Sequence, residues 1–167
     1  MTELLKKALV WDAHAGLFPS AEMDLNTLED WRKYDVNYLS INVGFDVMSR
    51  DETLATLAAY RRWLLAHSDR FMLAGTLADI TEAKRSDRLA VSFDIEGMNA
   101  LGGDINMVEL YHTLGVRQML FAYNLNNAAA GGCHDVDIAL TTFGIDILAE
   151  MNRVGMIVDA SHTSYRT

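Results

Sequence analysis

Apolar positions along this chain come in two textures that take turns. Leu9-Val10-Trp11-Asp12-Ala13-His14 is a short apolar run that ends in polar residues. Leu25, Leu28 and Trp31 then recur at helical spacing, and with Asp24 or Asn26 as cap they predict a helix over residues 24–34. Residues 38–44 read as a strand. The clearest helix covers residues 51–67, with Leu54, Leu57, Ala58, Arg61, Leu64 and Leu65 sharing one side. A short extended piece at 71–76, a short helix at 79–84 and a strand at 89–97 follow. Residues 105–114 are helical up to Gly115, 116–124 form a strand, 141–154 are helical up to Gly155, and 156–162 form the last strand.

Alternating strands and helices require crossover connections, so the pattern predicts an α/β fold with a parallel sheet. The strands are nearly continuous apolar runs, as expected when helices cover the sheet. The runs 89–95, 116–122 and 156–160 also predict an apolar inner sheet face, which a second copy or a missing C-terminal half would cover.

The strand ends carry the chemistry. His14, Asn42, Glu96, Asn124 and His162 stand where strands hand over to loops, the end at which parallel α/β folds bind ligands. His14, Glu96 and His162 are metal-ligand types, and imidazoles with a carboxylate suit zinc better than manganese or iron. The plainer alternative is that each side chain satisfies only its own loop. Asp12 and Asp159 either hydrogen-bond a ligating imidazole from behind or cap the next backbone turn. Asn124, Asn126 and Asn127 lead into Ala128-Ala129-Ala130-Gly131-Gly132-Cys133-His134-Asp135, a small-residue loop that either lies against a ligand or is solvated. Cys133 and His134 are adjacent, which by itself gives no catalytic geometry. The Gly-Gly pair lacks a phosphate-binding pattern.

Composition narrows the classes. The 167 residues suit a single domain, 1–167, and 50% of them are apolar. Lys+Arg 14 against Asp+Glu 23 gives a formal charge of −9, which argues against nucleic acid or an anionic membrane surface as partner. No run approaches the ~20 apolar residues of a membrane span. Residues 1–7 lack the pattern of a targeting segment. The single cysteine, Cys133, excludes an intrachain disulfide, so a cytoplasmic setting is expected.

Three stretches resemble the membrane (renal) dipeptidase family of zinc peptidases, within the amidohydrolase-like barrels. Val10-Trp11-Asp12-Ala13-His14-Ala15-Gly16-Leu17-Phe18-Pro19 is similar to the family's first-strand Asp-Gly-His-x-Asp-x-Pro region. Phe93-Asp94-Ile95-Glu96-Gly97 resembles its Glu-Gly strand. Leu140-Thr141-Thr142-Phe143-Gly144 through Met151-Asn152-Arg153-Val154-Gly155 to Asp159-Ala160-Ser161-His162 resembles its Gly-Leu-Thr-x-Phe-Gly…Met-Asn-x-x-Gly-x-x-x-Asp-x-Ser-His segment. The resemblance implies the N-terminal part of a TIM (β/α)8-type barrel with about five strands, a complete barrel needing about 250 residues. It implies a site of one or two zinc ions, with Glu96 as the bridging, catalytic carboxylate and His14 and His162 as ligands. Tyr123 and Asn124 stand where many members carry a substrate-contacting histidine, which makes them the substrate-binding candidates. The implied activity is metal-dependent hydrolysis of a dipeptide or similar small amide. The family's first motif is His-x-Asp, whereas this chain has His14-Ala15-Gly16, so one carboxylate ligand is missing. The family's later histidine, arginine and aspartate do not occur in these residues. The alternative is therefore a non-catalytic half-barrel that binds a metal or a partner chain without turnover.

Overall fold

The computed structural model describes residues 7–167. The stretch read above for a targeting segment therefore lies outside the described residues except for Lys7.

Six parallel strands form one sheet. They are β1 (Trp11–Ala15), β2 (Tyr38–Phe45), β3 (Phe71–Leu73), β4 (Leu89–Glu96), β5 (Val116–Leu120) and β6 (Ile157–Asp159). The main path runs β1-β2-β4-β5-β6. Strand β3 pairs with β4 at Leu89, Ala90 and Val91, and β5 takes up β4 from Phe93 to Glu96. The expected five-strand arc is therefore present, with β3 as a short accessory strand.

The helices are α1 (Glu29–Lys33), α2 (Arg50–Ala66), α3 (Leu77–Arg85), α4 (Asn106–Leu114) and α5 (Thr142–Val154). Ser49 and Thr76 open α2 and α3 with capping boxes closed by Glu52 and Asp79, which satisfies backbone donors at both starts. Gly115 and Gly155 end α4 and α5 at left-handed φ of 111° and 81°. The helix expected over 24–34 is broken: Leu25–Leu28 is a 3-10 turn capped by Asp24, and only α1 is α-helical. Helix α2 turns a different stripe inward from the one its leucines suggest. Thr53, Thr56, Leu57, Tyr60 and Leu64 are buried, whereas Leu65 is exposed.

The two faces of the sheet differ in chemistry. Leu39, Ile41, Val43, Val91, Phe93 and Ile95 join the core with Leu57, Tyr60, Leu64, Val108, Tyr111 and Ile147 beneath the helices. The alternate residues are polar and bond across the strands: Tyr38 to Ser92, Ser40 and Asn42 to Asp94, and Gln118 to Asp159. The expectation of an apolar inner face is thus corrected. Period-two alternation sends the branched residues of β2 and β4 to the helices and leaves a hydrogen-bonded ladder on the other side. Both sheet edges expose apolar side chains, Leu9 and Trp11 by β1 and Ile157 and Val158 on β6.

Candidate functional site

A β-bulge decides where His14 points. The β1–β2 register shifts between Asp12 and Ala15, breaking the alternation that would put Asp12 and His14 on one face. Trp11 stacks on Tyr38, with ring centroids 3.8 Å apart. Asp12 turns the other way, where its Oδ2 accepts from the Trp31 indole at 2.9 Å and its Oδ1 from the His14 backbone N–H at 3.3 Å. His14 returns to the polar face, with Nδ1 3.0 Å from Asp94 Oδ1 and Nε2 3.3 Å from Glu96 Oε1.

Asp94 is 2% exposed and anchors this arrangement. Its Oδ2 accepts from the Ser40 hydroxyl at 2.7 Å, and its Oδ1 from the Asn42 amide at 3.2 Å. Neither residue 12 nor residue 159 backs the imidazole of His14; the hydrogen-bond partner is Asp94. Asp159 instead accepts from Gln118 Nε2 at 2.8 Å and caps the Ser161 N–H at 2.7 Å. The electrostatics follow from this packing. The hydrogen bond that the His14 ring donates to Asp94, together with the charges of Asp94, Glu96 and Asp159, lifts the His14 pKa to about 9 against the opposing cost of burial. Burial raises the pKa of Glu96, and the nearby Asp94 and Asp159 charges add to this, while His14 opposes it.

His162 approaches Glu96 from the far edge. Strand β6 is shorter than expected and ends at Asp159, so His162 sits in the turn beyond it at a left-handed φ of 61°. Its Nε2 lies 4.0 Å from Glu96 Oε1, and its Nδ1 lies 2.9 Å from Asn124 Oδ1. Strand β5 likewise ends early, at Leu120, and Asn124 lies beyond it in the loop at a left-handed φ of 64°. Tyr123 lies between, its ring 4.7 Å from the His162 ring and edge-on to Phe45 at 5.4 Å. His14, Asn42, Glu96, Tyr123 and His162 share the wall of a cavity of about 390 Å³, with Gly16, Phe18 and Phe45 on its outer side. Asn124 is absent from that wall, its amide being turned to His162.

Two residues that sequence reasoning passed over organise the loops. Asp94 was legible in principle, two places before Glu96 on the same strand face. Asp46 was not, because it follows β2 with no motif around it. Its carboxylate accepts from the Asn99 and Tyr123 backbone N–H groups at 3.0 Å each and from the Asn127 amide at 2.8 Å. Burial pushes its pKa up. It lies on Gly97 so closely that a Cβ there would meet its carboxyl carbon at 2.1 Å, and Gly97 has φ +116°. The loops after β2, β4 and β5 are thus tied together directly behind Glu96. The small-residue loop divides: Ala129, Ala130, Gly131 and Gly132 are buried, whereas Ala128, Cys133, His134 and Asp135 are exposed.

The match to a known family decides the lineage. Residues 4–167 fit the family described as membrane dipeptidase (peptidase family M19). The chain belongs to this family. It is 33% identical over 119 residues to dipeptidase tcpJ of Claviceps purpurea, covering 70% of this chain and 28% of that protein. It is 36% identical over 104 residues to dipeptidase verJ of Clonostachys rogersoniana, covering 60% and 27%. An amidohydrolase from Pseudomonas aeruginosa superposes with a TM-score of 0.89 at 28% identity, over 99% of this chain and 49% of that one. The dipeptidase AC, described as a metallopeptidase, matches in fold with a TM-score of 0.78 at 16% identity. The chain therefore spans under a third of these curated relatives and about half of the Pseudomonas chain, and its sheet is the matching part of an amidohydrolase-like barrel.

Proposed function

We propose that this chain forms the metal-holding half-barrel of a metal-dependent dipeptidase-type hydrolase, acting on a dipeptide or similar small amide. The observation that carries this reading is the convergence of two imidazoles on one carboxylate, with both Nε2 atoms within 4.0 Å of Glu96 Oε1. Those donor types are the ones a zinc-class cation takes, although among the described residues no three His, Cys, Asp or Glu side chains are already arranged to hold one.

Under this reading His14, Glu96 and His162 are the ligands, and Asp94 holds the His14 ring with its Nε2 toward Glu96. A cation bound there would acidify a bound water and polarise a substrate carbonyl. Tyr123, held in place through its backbone by Asp46, forms the substrate-facing wall beside His162.

Gly16 favours the second reading, a metal-binding half-barrel without turnover. It leaves the His14 side one carboxylate short of the resembled pattern, so the described residues suit one weakly held ion rather than two. Zinc titration by calorimetry with a dipeptide hydrolysis assay on the same sample tests both. One weakly bound zinc without turnover is expected of the 167-residue chain. Two tightly held ions, or robust chelator-sensitive hydrolysis, would show that the ligand set is misjudged, and absence of zinc binding would refute the metal reading altogether.

A further inference from the structure

The Gly131-Gly132-Cys133-His134 stretch finds no role in the chemistry above, yet it is built onto the two left-handed residues of the site. The His134 N–H donates to the Asn124 carbonyl and the Cys133 N–H to the His162 carbonyl, each at 2.8 Å. Gly132 bridges to Thr163, and its own N–H donates to Asn126 Oδ1 at 2.9 Å. A Cβ on Gly132 would fall 2.3 Å from the Asn124 carbonyl carbon and oxygen, so only glycine allows this approach. The loop thus clamps the backbones of Asn124 and His162 side by side in a conformation that few side-chain-bearing residues adopt. Their side chains meet as a result, and the Cys133 thiol lies 3.7 Å from the same Asn124 Oδ1.

We propose that Asn124 is a positioning residue for His162: its Oδ1 accepts the Nδ1 proton, fixes the Nδ1–H tautomer and presents the bare Nε2 to Glu96. This assigns Asn124 away from the substrate and gives the glycine loop a purpose, to hold Asn124 and His162 in register. The reason is geometric. An imidazole free in water favours the opposite, Nε2–H tautomer, which has no lone pair on Nε2. An acceptor 2.9 Å from Nδ1 reverses that preference. Only the zinc arm of the test below rests on the function proposed above; the tautomer arm does not.

The test uses the full 167-residue chain and two variants. Asn124→Gly keeps the left-handed backbone and deletes the acceptor, whereas Asn124→Asp keeps the acceptor. Long-range ¹H–¹⁵N NMR without metal should show His162 protonated at Nδ1 in the wild type and in Asn124→Asp, with the proton moved to Nε2 in Asn124→Gly. Zinc titration should show affinity lowered about 10–100-fold in Asn124→Gly and retained in Asn124→Asp. A wild-type His162 unprotonated at Nδ1, or an Asn124→Gly chain with unchanged tautomer, would overturn the proposal. So would unchanged zinc affinity in Asn124→Gly. If the wild type shows the expected tautomer but binds no zinc, the positioning role stands and the metal reading fails.

Discussion

The two histidines that flank Glu96 are supported in opposite ways. His14 is backed by a charged, buried carboxylate that is itself held by strand residues Ser40 and Asn42. His162 is backed by a neutral amide at a loop position, and its orientation depends on two left-handed backbones clamped by a glycine. Support from the sheet brings charge with it and shifts the basicity of the ring. Support from the loop fixes direction without adding charge. A site built this way has a rigid, electrostatically tuned side and a side set by backbone conformation, so the two should fail differently when perturbed.

The largest effect should come from the buried side. Asp94→Ala strands the Ser40 hydroxyl, the Asn42 amide and the His14 ring without their acceptor, and is expected to cost about 3 kcal/mol in urea unfolding. Asn124→Gly, at a half-exposed loop position that suits glycine, should cost less than about 1 kcal/mol in the same assay. Equal losses would erase the distinction between the two supports. Next, Glu96→Gln removes the charge that both rings face. Zinc affinity should fall at least 100-fold, about 2.7 kcal/mol, while the fold survives; unchanged affinity would mean the cation, if bound, sits elsewhere. Gly16→Asp sharpens the comparison from the His14 side. A Cβ at residue 16 meets only His14 Nε2, at 3.8 Å, so the new carboxylate has room. Zinc binding should tighten about tenfold, roughly 1.4 kcal/mol; unchanged affinity would mean that the new carboxylate does not reach the cation.

The smallest of the charge effects is the pH dependence of the metal-free chain. The His14 pKa stands at about 9 in the fold against 6.5 for the free side chain. A raised pKa means that the folded state holds the proton more tightly. The stabilisation is therefore complete below pH 6.5 and lost as pH rises through 9. Once solvent screening of a ring this exposed is allowed for, the loss should be on the order of 1 kcal/mol. His14→Gln should flatten that slope; an unchanged slope would assign the charge to another group.

The β/α order was legible because most strands are nearly continuous apolar runs and most helices carry a cap, such as Ser49 with Glu52, or a stop, such as Gly155. The convergence of His14, Glu96 and His162 was legible because parallel strands bring their C-terminal ends together. What escaped depends on pairing rather than on local pattern. The β1 bulge exists only against β2, and it sends Asp12 to Trp31 and His14 to Asp94. The polar ladder of Ser40, Asn42, Ser92 and Asp94 hides among branched residues whose hydropathy dominates any short window. Asp46 reaches three residues on two segments distant in sequence, and nothing within its own neighbourhood announces them. The shift of the buried stripe on α2 has the same origin: Thr53, Thr56 and Tyr60 are buried because β2 and β3 lie beneath them.

That polar ladder bears on biogenesis. In any polypeptide that carries these residues ahead of further chain, they leave the ribosome first and wait for the rest, at roughly 5–20 residues per second. A waiting sheet with a greasy inner face would invite chaperones or clumping. Here Tyr38, Ser40, Asn42, Ser92 and Asp94 on the inner face already bond to one another, while the rims of the sheet expose Trp11 on one side and Ile157 and Val158 on the other. Such a nascent segment can idle in water with its sockets pointing sideways, which suits a module that is completed by addition at its margins.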